Sequence, residues 1–191
     1  MARPKSEDKR NAILAAATQV FAKRGLGAAT SAISQAAGVA EGTLFTYFKT
    51  KDDLVNELYR QIKLELADAM MSGFPRKQSV RRRLQHVWEG FVNWGVANPA
   101  QRKTLAQLGV SDRLSSDSKR AGSAPFIEIQ TMVQDARAQH VFRDVPEEFV
   151  ARTMQALAET TMEFMTANPK MADEYRQLGF AVLWAGMTKK K

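Results

Sequence analysis

Apolar residues in this chain return every three to four positions from Ile13 onward, and nowhere do they fall on strict alternation. A strand repeats every second residue and a helix every 3.6, so the pattern admits an all-α fold and little else. Ile13, Ala17, Val20 and Phe21 form one face of a first helix. Ser6, followed by Glu7 and Asp8, is placed to cap its start, and Gly25 to end it. Two short helices are expected from Ser31 to Ala37 and from Glu41 to Phe48, with Gly38 between them. Leu54, Leu58, Ile62, Leu66 and Met70 mark a longer one, which Phe74-Pro75 stops. Five more fit the punctuation: Val80 to Ala97, Pro99 to Leu114, Lys119 to Gln139, Pro146 to about Asn168-Pro169, and Met171 to Met187. The third of these has weak points at Gly122 and Pro125, and Pro146 suits the first helical position of the fourth. About nine helices are expected in all.

Several function classes drop out on composition. The 191 residues include no cysteine and only two histidines, His86 and His140, so no metal centre or thiol chemistry is expected. No nucleophile–base pair and no phosphate-cradling glycine loop occurs, so neither an enzyme nor a cofactor is expected. MARPKSEDKR has charge but no apolar stretch behind it, and does not read as a secretory signal. The longest apolar run, Gly179 to Met187, is far short of the roughly 20 residues of a membrane span. A cytoplasmic protein with no membrane partner is expected.

The net charge of +8 asks whether a polyanion is the partner. Residues 1–55 hold eight basic and five acidic side chains, and the rest hold twenty and fifteen, so the excess is not concentrated at one end. Placement is more telling. Arg3, Lys5, Lys9 and Arg10 could form a basic N-terminal arm, and Lys49 and Lys51 flank the short helices.

The stretch TSAISQAAGVAEGTLFTYFKTKDDL, Thr30 to Leu54, has the form of a helix-turn-helix. Gly38-Val39-Ala40 makes a tight turn with glycine where a left-handed conformation is needed. Ile33, Ala36 and Ala37 are placed to pack on Leu44 and Phe48, over Ile13, Ala17 and Phe21. The second helix is then left with a free face of short and polar residues, Glu41, Gly42, Thr43, Thr46 and Tyr47. A helix entering a DNA groove needs such a face.

Ile13-Leu14-x-Ala16-Ala17, Phe21-Ala22-x-x-Gly25, Thr30, Ile33-x-x-x-Ala37-Gly38-Val39 and Gly42-Thr43-Leu44-Phe45-x-Tyr47-Phe48-x-x-Lys51-x-x-Leu54 resemble the DNA-binding domain of the TetR family. The resemblance implies a homodimeric regulator, in most members a repressor released from a palindromic operator by a small molecule. It also implies a DNA-binding domain at 1–52 and an effector-binding and dimerisation domain at 53–191. Thr30, Thr43, Tyr47 and Lys51 would hold phosphates, and Glu41, Gly42 and Thr46 would lie over base edges. Two positions depart from the pattern. Phe45 stands where the family usually has Tyr, whose hydroxyl adds a phosphate contact. Ala40 stands where a Ser or Thr cap is common, at a cost of roughly 1 kcal/mol to the recognition helix.

Eight of nine methionines and all three tryptophans lie beyond residue 55. Flexible, polarisable methionines among aromatics suit a pocket for varied lipophilic guests. By position in the pattern of a drug-responsive member, the resemblance implies Tyr59, Lys63, Leu66, Met70, Trp88 and Met154 as lining residues. The helix after Pro146 bears two apolar stripes: Phe149, Thr153, Ala156, Thr160 and Phe164, and Val150, Met154, Leu157, Thr161 and Met165. One stripe would pack on the protomer and the other on a partner copy, helped by Tyr175, Leu178, Val182 and Trp184 of the last helix. Arg81 to Arg83 read as a solvated face, His86 as a partly buried, hydrogen-bonded histidine, His140 as a helix-end residue, and Lys189 to Lys191 as a disordered tail. The alternative is a helical DNA binder with no effector.

Overall fold

The computed structural model describes residues 6–188, and among these it is helical throughout. Ten α-helices follow in order: α1 (Glu7–Arg24), α2 (Thr30–Ala36), α3 (Glu41–Tyr47), α4 (Lys51–Met71), α5 (Val80–Ala97), α6 (Pro99–Gly109), α7 (Ser116–Ser123), α8 (Ile127–Ala138), α9 (Glu147–Ala167) and α10 (Ala172–Met187). The one extended feature among the described residues is an isolated bridge between Phe142 and Thr188. No described helix is long and apolar enough to cross a membrane. Arg3 and Lys5 of the expected arm and the tail at Lys189 to Lys191 lie outside the described residues.

Helix boundaries differ from expectation where capping and proline chemistry decide them. The helix expected from Lys119 to Gln139 is two helices, because Pro125 sits in a 3-10 turn at Ala124–Phe126. Proline lacks the N–H an α-helix needs, and its ring crowds the preceding turn. The helix expected to reach Leu114 ends at Gly109. Ser115, just past the expected end of that helix, caps α7 by accepting the Ser118 N–H at 3.1 Å. Pro146 occupies the N-cap of α9 with extended backbone rather than the first helical position. Ser6 is the N-cap of α1, yet its hydroxyl makes no cap bond.

The chain forms two compact units: residues up to Leu64 with 98–124, and 65–97 with 125–191. In the first unit, Ile13, Leu14, Ala17 and Phe21 of α1 are fully buried with Ile33, Leu44, Leu54, Leu58 and Leu108. The helices expected to bind DNA therefore share a core with α6, which is distant in sequence. The buried Thr104 hydroxyl of α6 donates to the Thr18 carbonyl of α1 at 3.0 Å. Ala36, expected in this core, is exposed, and Ser34 is buried instead.

The second unit is built on Trp88, 2% exposed, whose Nε1–H donates to the Arg176 carbonyl at 2.9 Å. Gly179 of α10 permits this packing. A β-carbon there would stand 2.5 Å from Thr161 Oγ1 and 2.7 Å from Trp88 Cζ2. On α9, Thr161 and Met165 are buried and Val150, Met154 and Leu157 half-buried, whereas Phe149, Thr153, Ala156, Thr160 and Phe164 are exposed. The two stripes are thus physically distinct: one packs and one faces out. Arg81 and Arg82 are exposed, the former with its guanidinium 5.7 Å over the Trp184 ring. His86 is half-buried and edge-on to Phe74 at 5.9 Å. Its enclosed Nε2 lacks the expected hydrogen-bond partner among the described residues. His140 follows α8 at a positive φ of 56°, exposed, as a helix-end residue.

Candidate nucleic-acid interface

The turn between α2 and α3 closes as its sequence dictates. Gly38 has φ of 67°, and the N–H of Val39 reaches back to the Ser34 carbonyl at 3.0 Å, satisfying the end of α2. Ala40 is the N-cap of α3 and provides no side-chain cap. Leu44 and Phe48 bury one side of α3 against α1 and α2. Glu41, Gly42, Phe45 and Thr46 are left exposed on the other side, with Thr43 and Tyr47 half-buried.

Gly42 is the most informative of these. A helical glycine costs about 0.5–1 kcal/mol relative to alanine. At Gly42 a β-carbon would meet nothing within 4 Å. Its φ lies outside the positive range that only glycine tolerates readily. The described fold therefore gives no internal reason for a glycine at this exposed position. A reason outside the fold is close approach of another molecule to the α3 backbone.

The expected phosphate contacts are partly committed within the protein. Lys51 Nζ donates to the Ala28 carbonyl at 2.6 Å and lies 5.9 Å over the Phe21 ring. Burial lowers its pKa, Arg113 lowers it further, and Asp52 opposes both. Lys51 thus ties α4 to the turn before α2 as well as offering charge. Tyr47 Oη accepts the Ser6 N–H at 2.9 Å, which fastens the start of α1 to α3. Thr46 turns its hydroxyl to the Gly42 carbonyl at 3.0 Å. Thr30 Oγ1 donates to Glu41 Oε1 at 2.7 Å, joining α2 to the first residue of α3.

Of the basic residues assigned to an arm, Lys9 is exposed but Arg10 is not available as a free charge. Arg10 pairs with Glu57, which also binds Arg60, and Arg60 Nη1 donates to Ser118 Oγ at 2.6 Å. Burial pushes the Glu57 carboxyl up, but Arg60 and Arg10 outweigh it and hold it below the usual range. Sequence reasoning missed Asn56, which takes the N–H of Ser115 and donates to the Arg113 carbonyl, both at 2.9 Å. With the Arg113–Asp52 pair at 2.7 Å, it binds α4 to the α6–α7 connection. Nothing in local spacing signals contacts between residues nearly sixty positions apart.

Residues 13–58 match the model of the bacterial regulatory proteins of the tetR family. The likeness to that family lies in the N-terminal segment alone. Its helix-turn-helix, α2 and α3, lies inside the matched segment. The HTH-type transcriptional regulator YhgD of Bacillus subtilis is 33% identical over 89 residues, 44% of this chain and 47% of that protein. The chain spans less than half the length of the curated relatives it matches. A TetR-family transcription regulator from Shewanella sp. PV-4 shares the fold with a TM-score of 0.81, at 24% identity over 95% of this chain and 99% of its own. LfrR of Mycobacterium smegmatis, solved in complex with proflavine, does so with a TM-score of 0.65, at 21% identity over 96% and 99%. The family match is confined to residues 13–58, and the solved structures share the fold over nearly the whole chain.

The residues expected to line an effector pocket fall in both units. In the first, Tyr59 and Lys63 are half-buried one turn apart on α4. The Tyr59 ring lies against Gly122, and burial pushes the Lys63 ammonium below its usual pKa. In the second, Leu66, Met70 and Trp88 are buried and Met154 is half-buried. An open apolar groove runs between α9 and α10, lined by Leu157, Thr160, Phe164, Tyr175, Leu178 and Val182. None of the six expected lining residues is among them.

Proposed function

We propose that the protein is a ligand-responsive transcriptional repressor acting in the cytoplasm. It binds a palindromic operator as a homodimer through residues 1–52 and responds through residues 53–191 to lipophilic small molecules. The observation that carries this reading is the exposed face of α3, where Glu41, Gly42, Phe45 and Thr46 lie open to solvent inside the matched helix-turn-helix. Gly42, Glu41 and Thr46 lie over base edges, with Phe45 as an apolar contact, and Thr43, Tyr47 and Lys51 hold the backbone.

The effector reading rests on Trp94 to Pro99, Ala156 to Met162 and Glu174 to Phe180, which resemble RamR, a multidrug-responsive repressor. LfrR, which shares the fold, was solved with proflavine, and this supports a planar lipophilic guest; a role in controlling drug efflux is part of the same proposal. Tyr59, Lys63, Leu66, Met70, Trp88 and Met154 are the proposed effector contacts. Binding shifts the population to a conformer whose two recognition helices no longer match the half-site spacing. Thermal melting with a panel of lipophilic cations and bile-acid-like amphiphiles tests this, because a ligand selective for the native state raises the melting temperature. A shift of several degrees with at least one compound is expected. Silence across the panel would favour the constitutive DNA binder.

The homodimer is proposed on the outward face of the second unit. Leu178 is 58% exposed, Val182 52% and Phe164 50%, and the three line one open apolar groove between α9 and α10, while Phe149, 62% exposed, lies further along the exposed stripe of α9. Leu178→Arg is expected to give a folded monomer by sedimentation and to abolish tight operator binding, since one half-site cannot hold it. A variant that stays dimeric would remove this face from the interface.

A further inference from the structure

The Thr30–Glu41 contact assigns both residues a task that differs from phosphate binding, given that α3 enters the major groove as proposed above. A threonine hydroxyl has one proton, and here it goes to Glu41 Oε1 at 2.7 Å. That hydroxyl cannot donate to a phosphate at the same time. Glu41 cannot hold a phosphate either, because an ionised carboxylate only accepts hydrogen bonds and repels the backbone charge. Yet Glu41 is exposed on the side of α3 that carries Gly42 and Thr46, with no cation bonded to its carboxylate among the described contacts. One oxygen is fixed by Thr30 and the carboxylate keeps further acceptor capacity.

We propose that Glu41 is a specificity-determining residue that reads a cytosine in each operator half-site, and that Thr30 is the positioning residue holding its carboxylate. The major-groove edges decide the base. Guanine presents only acceptors at O6 and N7, and thymine an acceptor at O4 beside a methyl group, so both oppose a carboxylate. Adenine offers its N6 amino group next to the N7 acceptor, which repels the second oxygen. Cytosine offers the N4 amino group with no acceptor on its own major-groove edge, which suits an acceptor-only side chain best of the four bases. The hydroxyl of Thr30 limits the carboxylate's rotation and so favours one register across the groove.

The test is selection of duplexes from a random pool by the full-length protein, with the salt dependence of binding measured on the selected site. Wild type is expected to enrich a symmetric motif with cytosine at one position per half-site. Glu41→Gln is expected to move that position towards adenine, which glutamine contacts at N6 and N7, and Glu41→Ala to leave it unselected while the rest of the motif persists. Thr30→Val is expected to relax the same position by about fivefold or more in base preference, with the salt slope unchanged. The proposal is overturned if Glu41→Ala recovers the wild-type motif at every position. It is equally overturned if Thr30→Val leaves the motif intact and lowers the salt slope by about one, the mark of a lost phosphate contact. Failure of wild type to enrich any motif would instead remove the DNA-reading function itself. Melting curves of the three variants are expected to match wild type, since Glu41 is exposed and Thr30 half-buried.

Discussion

Gly42→Ala is expected to leave the protein folded, melting at or slightly above wild type, while operator affinity falls by about tenfold or more. The two halves of this result come from different physics. Within the protein, the added methyl meets nothing within 4 Å, and replacing a helical glycine relieves up to about 1 kcal/mol of backbone entropy cost. In the proposed interface, the methyl would stand where the α3 backbone approaches base edges, and holding the helix away would weaken contacts worth about 1–3 kcal/mol each. Few substitutions separate stability from function so cleanly. Operator binding by fluorescence anisotropy and melting by circular dichroism check the two halves independently, and undiminished affinity would show that α3 does not approach DNA at this residue.

Trp88→Ala is expected to destabilise the second unit by about 3–5 kcal/mol, the usual range for removing a large aromatic side chain from a core. Trp88 is 2% exposed and bonded to the Arg176 carbonyl, and Gly179 is small so that α10 can reach its ring. Loss of the effector response in this variant would therefore say little about ligand contact. Trp88→Phe is the discriminating change. It keeps most of the buried ring and forfeits one hydrogen bond, at about 0.5–1.5 kcal/mol. If the phenylalanine variant melts close to wild type and still loses its effector shift, Trp88 touches the effector. If the shift persists, Trp88 acts through packing alone. Chemical denaturation of both variants supplies the stability difference.

The helical class and the first half of the chain were legible because they depend on periodicity and on single residues with fixed backbone meaning. Ile13, Phe21, Ile33, Leu44 and Leu54 keep helical spacing and are buried, and Gly38 has the left-handed backbone its position required. What sequence obscured was settled by short-range competition or by distant partners. Pro125 splits one expected helix, and the Ser115 hydroxyl caps α7 in the gap between two expected ones. The exposed face of α3 could be read, but not how its residues are engaged. Thr30 and Glu41 meet only because α2 and α3 cross at the Gly38 turn, and Lys51 reaches Ala28 only because α1 brings that turn beside α4. Such contacts follow from tertiary geometry and leave no trace in spacing. The polarity of α9, by contrast, was written in its two stripes, and the structure distinguishes the packed one from the exposed one.

The account stands on sequence-specific recognition of DNA by α3. Its most direct test is titration of the full-length protein against the duplex it selects from a random pool and against a scrambled duplex of the same composition, both at physiological salt. A specific binder is expected to prefer the selected duplex by about a thousandfold or more, with two protomers per site. Equal affinity for the two duplexes would contradict the account.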